Sequence, residues 1–495
     1  MNKIEIKHKY IEKIILIVFM FLPILTIPLY LDNDSWFLLN HGKYVLEYGF
    51  PHYEPFTIHQ NMEFVMQQWL FSVVYWIIYS SFGKIGIIGC IYICAFLIIL
   101  LIYKLCMHVS QDKFYLSVIL TTVLSLPICM WFVVTRPQII TYLIILTELY
   151  CLEKYISSSK NKYLIVLPVL SILQINMHAS MWMMLFAFLL PYLIEPIVTR
   201  IIKSTNGSYK AIPLFVVSII MFLLGFLNPY GADSVFYIVR SYGDDIINNH
   251  VSEMVAPTIR DFHGAIFIIY FVGVALIYIL NKSGKNKTRF VLLIAGTTFL
   301  ALSSLKSMPY FLICLSITLA YNLKNQAHNL KFSVAESRKN MARTISCSCF
   351  LLLIIGLAIG VTATEYNPDK DYPKSRDAVS YLVKNEEIEK VNLYTDYFNG
   401  GYAEFMGIKT YIDARAEVFL KDNNGKADIF EEYIKLQSGK IHYKDFLNKY
   451  KFTHILVSTD DILSIYLEKD SEYKIIYHDN NNKIFIPIKT EVAYE

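Results

Sequence analysis

The chain has 495 residues, of which 55% are hydrophobic, 15% aromatic and only 17% charged. It is more apolar and less charged than ordinary soluble proteins, which excludes water as the solvent for most of it. The net charge is +4, and the basic residues form loop clusters that suit anionic lipid and membrane topology, not nucleic acid.

Nearly charge-free segments follow one another along the chain: Ile14 to Tyr30, Ile85 to Tyr103, Phe114 to Val134, Ile139 to Leu152, Tyr163 to Ile175, Met181 to Ile194, Ile212 to Leu227, Ala265 to Leu280, Phe290 to Leu305, Tyr310 to Leu323 and Ile345 to Val361. Several need flanking residues to reach the roughly 20 that a crossing requires. No small-residue cleavage site follows the first, so it reads as a retained span. Gln67 to Phe82 is short for a crossing and carries Trp69, Tyr75, Trp76 and Tyr79, as expected of a juxtamembrane helix over 67–82. Together these predict about 11 spans in an all-α polytopic domain over residues 1–363. All eight cysteines lie in or beside apolar segments with no CxxC pair, so neither a disulfide framework nor a cysteine metal site is expected.

Sidedness follows from the basic loops. With 67–82 on the surface, 21 of the 27 Lys+Arg before residue 364 fall on the N-terminal side, and only Lys43, Lys84, Arg136, Arg240, Arg260 and Lys306 fall opposite. Basic loops resist translocation, so the N-terminus is expected in the cytoplasm and the chain in the cytoplasmic membrane. The outer face then collects the first outer loop 31–66, the long outer loop 228–262, and short connections near Arg136, His178 and Lys306. The span centres read as uncharged, which argues against a carrier.

From residue 364 the composition turns hydrophilic, with 18 Lys+Arg against 24 Asp+Glu. Asn367 to Pro373 reads as a linker. Ser375 to Lys384, Asp428 to Leu436 and Tyr443 to Tyr450 suit helices, and Val391 to Tyr394, Thr410 to Ile412, His454 to Val457, Lys474 to Tyr477 and Ile484 to Ile488 suit strands. This predicts an extracytoplasmic α/β domain over 364–495. Asn399-Gly400-Gly401 marks a turn, while Asp413 and Arg415 suit either a structural role or contact with substrate or the membrane part. Neither a P-loop nor a dinucleotide fingerprint is present.

Directly after the first span comes Asp32-Asn33-Asp34-Ser35-Trp36. Two carboxylates one residue apart at an interface can share a divalent cation, or one can take a proton while the other holds charge. They can equally be a hydrated helix end. The loop continues through Gly42, Gly49, Pro51, Glu54 and Phe56 to Trp69-Leu70, and later come Arg136-Pro137-Gln138, Asn176-Met177-His178, Asn228-Pro229-Tyr230-Gly231, Gly400-Gly401-Tyr402 and Ile412-Asp413-Ala414-Arg415. This ordered set resembles bacterial membrane proteins with the GT-C glycosyltransferase fold, the class that includes protein O-mannosyltransferases and lipid A aminoarabinose transferases. Leu38 stands where a His is expected, and Ala179 where a Gly is.

The resemblance implies transfer of a sugar from a polyprenyl-phosphate donor to an acceptor hydroxyl on a glycan, lipid or protein at the outer face. It implies Asp34 or Asp32 as general base, with a divalent cation on the same pair as an option. Arg136, His178 and Lys306 are candidates to bind the lipid phosphate, and Glu54, Trp69, Asn228 and Tyr230 to bind substrate. Arg136 and Lys306 also suit snorkelling at helix ends. A polysaccharide polymerase or ligase would instead place its chemistry on Arg and His of late outer loops, Arg240 and Arg260 here. A non-catalytic scaffold presenting the outer domain is the third reading.

Overall fold

The computed structural model describes residues 13–202, 209–241, 245–258, 260, 262–280, 287–325 and 373–488. The span expected at Ile345 to Val361 and nearly all of the linker after it lie outside these residues. The chain divides into two compact units. One comprises Met1–Leu29, Ile88–Asn228 and Asn248–Tyr366; the other comprises Tyr30–Ile87, Pro229–Ile247 and Asn367–Glu495.

The first unit is helical. Phe114–Trp131, Gln138–Ser158, Val166–Met177, Met183–Ile201, Ile212–Leu224, Phe262–Leu280, Thr288–Ser303 and Met308–Leu323 fall where the apolar segments predict them. Three helices among the described residues are long and apolar enough to cross a membrane, at Trp69–Val109, Phe114–Trp131 and Ala179–Ile201. Five more apolar helices are shorter. Gly83 interrupts Trp69–Val109 with φ of 60°, a left-handed conformation that glycine adopts without a Cβ penalty. The break falls between the expected juxtamembrane segment and the expected second span.

The spans are not uncharged throughout. Glu148 sits fully buried within Gln138–Ser158. Nearer the helix ends, Arg289 bridges Glu153 (Nε–Oε1 2.8 Å) and Glu195 (Nη1–Oε2 2.7 Å), and the Tyr192 hydroxyl donates to Glu153 at 3.0 Å. The triad ties three helices together where solvent is absent, and each charged atom has a partner, the condition under which buried ions are tolerated. Hydropathy averaged over a segment hides such pairs.

The second unit draws residues 30–87 into the same body as the C-terminal region. Its sheet has the order β1-β2-β4-β3, with β1 (Leu393–Tyr394) parallel to β2 (His454–Ser458), and β4 (Asn482–Pro487) antiparallel to both β2 and β3 (Tyr473–His478). Residues of β2 and the start of β4 are buried while β3, at the edge of the sheet, is half-open. Thr410 makes isolated bridges to Leu393 and to Thr57 instead of forming a full strand. The helices Arg376–Asn385, Ile429–Gln437 and Tyr443–Tyr450 match expectation, whereas Gly400–Phe405 and Ile462–Lys469 do not appear in the sequence reading.

Candidate active site: a carboxylate loop and a cation cluster

In the second unit, the helix Ser35–Tyr48 starts at the DxD segment, with Asp34 as its N-cap residue. The Asp32 carboxylate accepts from the Asn33 amide at 2.9 Å, and the Asn33 side chain donates to the Phe398 carbonyl at 2.9 Å. Asp34 lies beside Tyr397: burial first, and then the Asp34 charge, push that phenol well above its usual range. Both aspartates are partly exposed, as groups that exchange protons with substrate need to be.

The next helical turns explain why this helix packs on the C-terminal region. Trp36 is 2% exposed and meets Tyr402 edge-on at 4.9 Å and Phe405 at 5.4 Å. Gly400 opens the helix carrying Tyr402, and a Cβ there would sit 1.9 Å from the Ile412 carbonyl oxygen. The Gly-Gly-Tyr motif therefore supplies close backbone approach, followed by an aromatic that grips Trp36.

Beneath this contact is a buried charge cluster. Arg415 donates to both oxygens of Asp413 from Nε (2.9 and 2.8 Å), to Glu54 from Nη1 and Nη2 (3.1 Å each), to Glu404 at 3.5 Å, and to His41 Nε2 at 2.9 Å. A guanidinium has no acceptor, so His41 presents its Nε2 lone pair and is neutral. Burial, reinforced by Arg415, holds its pKa well below the ordinary value. Phe56 and Phe64 cover the guanidinium at 5.5 and 5.4 Å. Three carboxylates share one guanidinium, and burial raises both Glu54 and Glu404, Glu404 the more strongly with Asp413 adding to it.

Glu54, chosen by sequence as a substrate contact, thus has both oxygens on Arg415 and one also on the Phe56 amide at 3.0 Å. Asp413 and Arg415 lie buried together, and Arg415 contacts Glu54 and His41, residues that the sequence reading placed with the membrane part. Trp69 stacks edge-on against Phe50 at 5.0 Å. The Tyr230 hydroxyl donates to the Pro51 carbonyl at 3.2 Å, and its ring faces His52 at 5.7 Å, so Trp69 and Tyr230 both pack on residues 50–52.

In the first unit, two of the three basic candidates, Arg136 and Lys306, meet an acid that the sequence left unassigned, and His178 lies near enough to Lys306 to feel its charge. Arg136 forms an ion pair with Glu253. The Lys306 amide donates to the Glu253 carbonyl at 3.0 Å, and the Ser304 hydroxyl to the same oxygen at 3.1 Å. Burial opposes ionisation of Glu253, but Arg136 and Lys306 together hold its carboxyl below the usual range. His178 Nδ1 lies 2.9 Å from the Thr141 hydroxyl, which also accepts from Gln174 at 3.0 Å. Burial, then Lys306, pushes His178 down to about 3. His178 is therefore a neutral hydrogen-bonding group, and the positive charge comes from Arg136 and Lys306. Asn228 caps its own helix, donating to the Gly225 carbonyl at 2.8 Å. In sequence Glu253 was an acidic residue of the long loop with no assigned partner, because Arg136 lies 117 positions away.

Among the described residues, no group of three or more His, Cys, Asp or Glu side chains is arranged to hold a metal ion. No protein-family model and no curated protein matches the chain. Among solved structures, the chain is similar to ArnT from Cupriavidus metallidurans bound to undecaprenyl phosphate, over 98% of both chains, with a TM-score of 0.56 and 9% identity. The fold is GT-C-like. At that identity the likeness speaks to architecture: a mostly helical, polytopic membrane fold with a small C-terminal sheet.

Proposed function

We propose that the chain is a membrane glycosyltransferase that moves a sugar from a polyprenyl-phosphate donor to an acceptor hydroxyl at the outer face of the cytoplasmic membrane. The observation that carries this reading is the full-length likeness to a protein whose structure holds undecaprenyl phosphate. The Arg136–Glu253–Lys306 cluster supports it, because a lipid phosphate leaving group needs cations that form charge-assisted bonds.

In this mechanism Asp34 or Asp32 removes the proton of the acceptor hydroxyl as its oxygen attacks the anomeric carbon. The bond to the phosphate oxygen breaks on the opposite face, with inversion, and the departing phosphate keeps the electron pair. Arg136 and Lys306 stabilise that charge, and neutral His178 contributes a hydrogen bond. General-base catalysis of this kind contributes roughly 10²–10⁴-fold. A divalent cation on Asp32 and Asp34 is an option that chelation tests directly.

The test is sugar transfer by the purified chain in lipid with a polyprenyl-phosphate sugar. Asp34→Asn is expected to abolish product while the protein stays folded, and unchanged yield would end the proposal. Arg240→Ala and Arg260→Ala, measured alongside, separate it from a polymerase or ligase. Arg240 pairs with Asp233 at 3.3 Å, so these variants are expected to retain transfer.

A further inference from the structure

In the second unit, the first outer loop and the C-terminal region enclose a cavity of about 670 Å³, with Tyr44, Tyr53, His59, Asn61, Asn392 and Lys409 in its wall. A neighbouring cavity of about 310 Å³ shares Tyr44, Pro55 and Lys409 with it and continues past Tyr48. The two form a groove on either side of Tyr44. Its larger part is in the size range of small-ligand sites.

The floor is preformed. Residues 52–64 make a hairpin, in which Tyr53 bridges Glu63, the Glu54 amide donates to the Met62 carbonyl and the Phe64 amide to the His52 carbonyl, both at 2.9 Å. The far limb is pinned by the Ile58 amide on the Thr410 carbonyl at 2.9 Å and by His59 Nε2 on the Tyr411 carbonyl at 2.8 Å. A carbonyl only accepts, so Nε2 carries the hydrogen and Nδ1 keeps its lone pair. Burial holds this imidazole near 4, neutral at physiological pH. A pocket that is rigid before binding loses less entropy when it fills.

The lining chemistry selects the occupant. Tyr53 is 58% exposed, an aromatic face kept in water at the cavity mouth. The amides of Gln60 and Asn61 offer paired donors and acceptors, and Asn392 offers an acceptor. Asn392 spends its NH₂ on the Tyr450 and Lys451 carbonyls, and its Oδ1 and the Thr57 hydroxyl are buried in the wall without a hydrogen-bond partner, which is uncommon for buried polar atoms. Charges alternate in sign, Glu389 next to Lys390 in one part and Lys43 near Glu47 in the other. A field of mixed sign does not favour phosphates or polyanions. Aromatic faces for the C–H side of a pyranose, with amides for its hydroxyls, fit a neutral saccharide several units long.

We propose that this groove binds a neutral oligosaccharide; with the transferase reading above, that glycan is the acceptor. The test is saturable binding of cellohexaose, maltohexaose and chitohexaose to the full chain in detergent without donor lipid. At least one is expected to bind, with affinity reduced fivefold or more by Tyr53→Ala and unchanged by Tyr466→Ala, a half-exposed tyrosine outside the groove. Binding by none, or equal binding by both variants, overturns the proposal. Sugar transfer by Asp34→Asn is read separately: if this variant transfers sugar normally, the transferase reading fails while the groove stands on the binding result.

Discussion

Replacing Arg415 with Met removes the positive charge from a cluster in which Asp413, Glu54 and Glu404 are buried, each side chain 0% exposed. Methionine fills much of the volume, so the loss is mainly electrostatic. Removing one partner of a buried ion pair costs about 3–5 kcal/mol, because the remaining charge has neither water nor partner. For a unit of this size a kcal/mol moves the midpoint by roughly 2–4 °C. The expected fall is therefore roughly 6–20 °C in the unfolding transition of the second unit, read by intrinsic fluorescence on the purified chain. Adding Glu54→Gln and Asp413→Asn should recover part of the loss, since neutral amides need no counter-charge. A midpoint for Arg415→Met within 2 °C of wild type would refute the cluster as the tie between residues 31–66 and the C-terminal region.

The same cluster makes stability depend on pH from both sides. Glu404 and Glu54 have raised pKa values, so their protonated forms contribute stability that is complete below the ordinary carboxylate range and lost as pH rises through the folded values. Glu404→Gln is expected to flatten the alkaline decline of the midpoint. His41 has a lowered pKa, so its contribution is present above the ordinary imidazole value of about 6.5 and falls away on acidification, by up to about 1.4 kcal/mol per pH unit. Gly400→Ala is expected to destabilise by more than about 1 kcal/mol and to weaken the Trp36–Tyr402 contact, measured as unfolding midpoint and tryptophan emission. Glu253→Gln frees charge on Arg136 and Lys306, so affinity for undecaprenyl phosphate should rise. Arg136→Gln should lower it several-fold, and equal affinities in both variants would remove the cluster from phosphate binding.

Much of the architecture was legible because the controlling interactions are local. Helix positions follow from apolar runs, and three strands and three helices of the C-terminal region appeared close to their expected bounds, since alternation and flanking polar residues act over a few positions. Gly400–Phe405 was read as a turn because a pair of glycines is a poor helix former; packing against Trp36 and the Ile412 carbonyl overrides that preference. The resemblance picked out Glu54, Asp413 and Arg415 without revealing that they are partners, 361 positions apart for Glu54 and Arg415.

Sequence by itself determined that most of this chain needs an apolar solvent, where its helices fall, and which few polar residues stand at their ends. Composition and periodicity carry that information because hydrophobic burial is a property of each segment. Only the tertiary structure decided which of those polar residues meet: Arg136 with Glu253, Arg415 with Glu54 and Glu404, and residues 31–66 with the C-terminal region. Pairing of buried charges is set by distances across the fold, and a linear string contains no such distances.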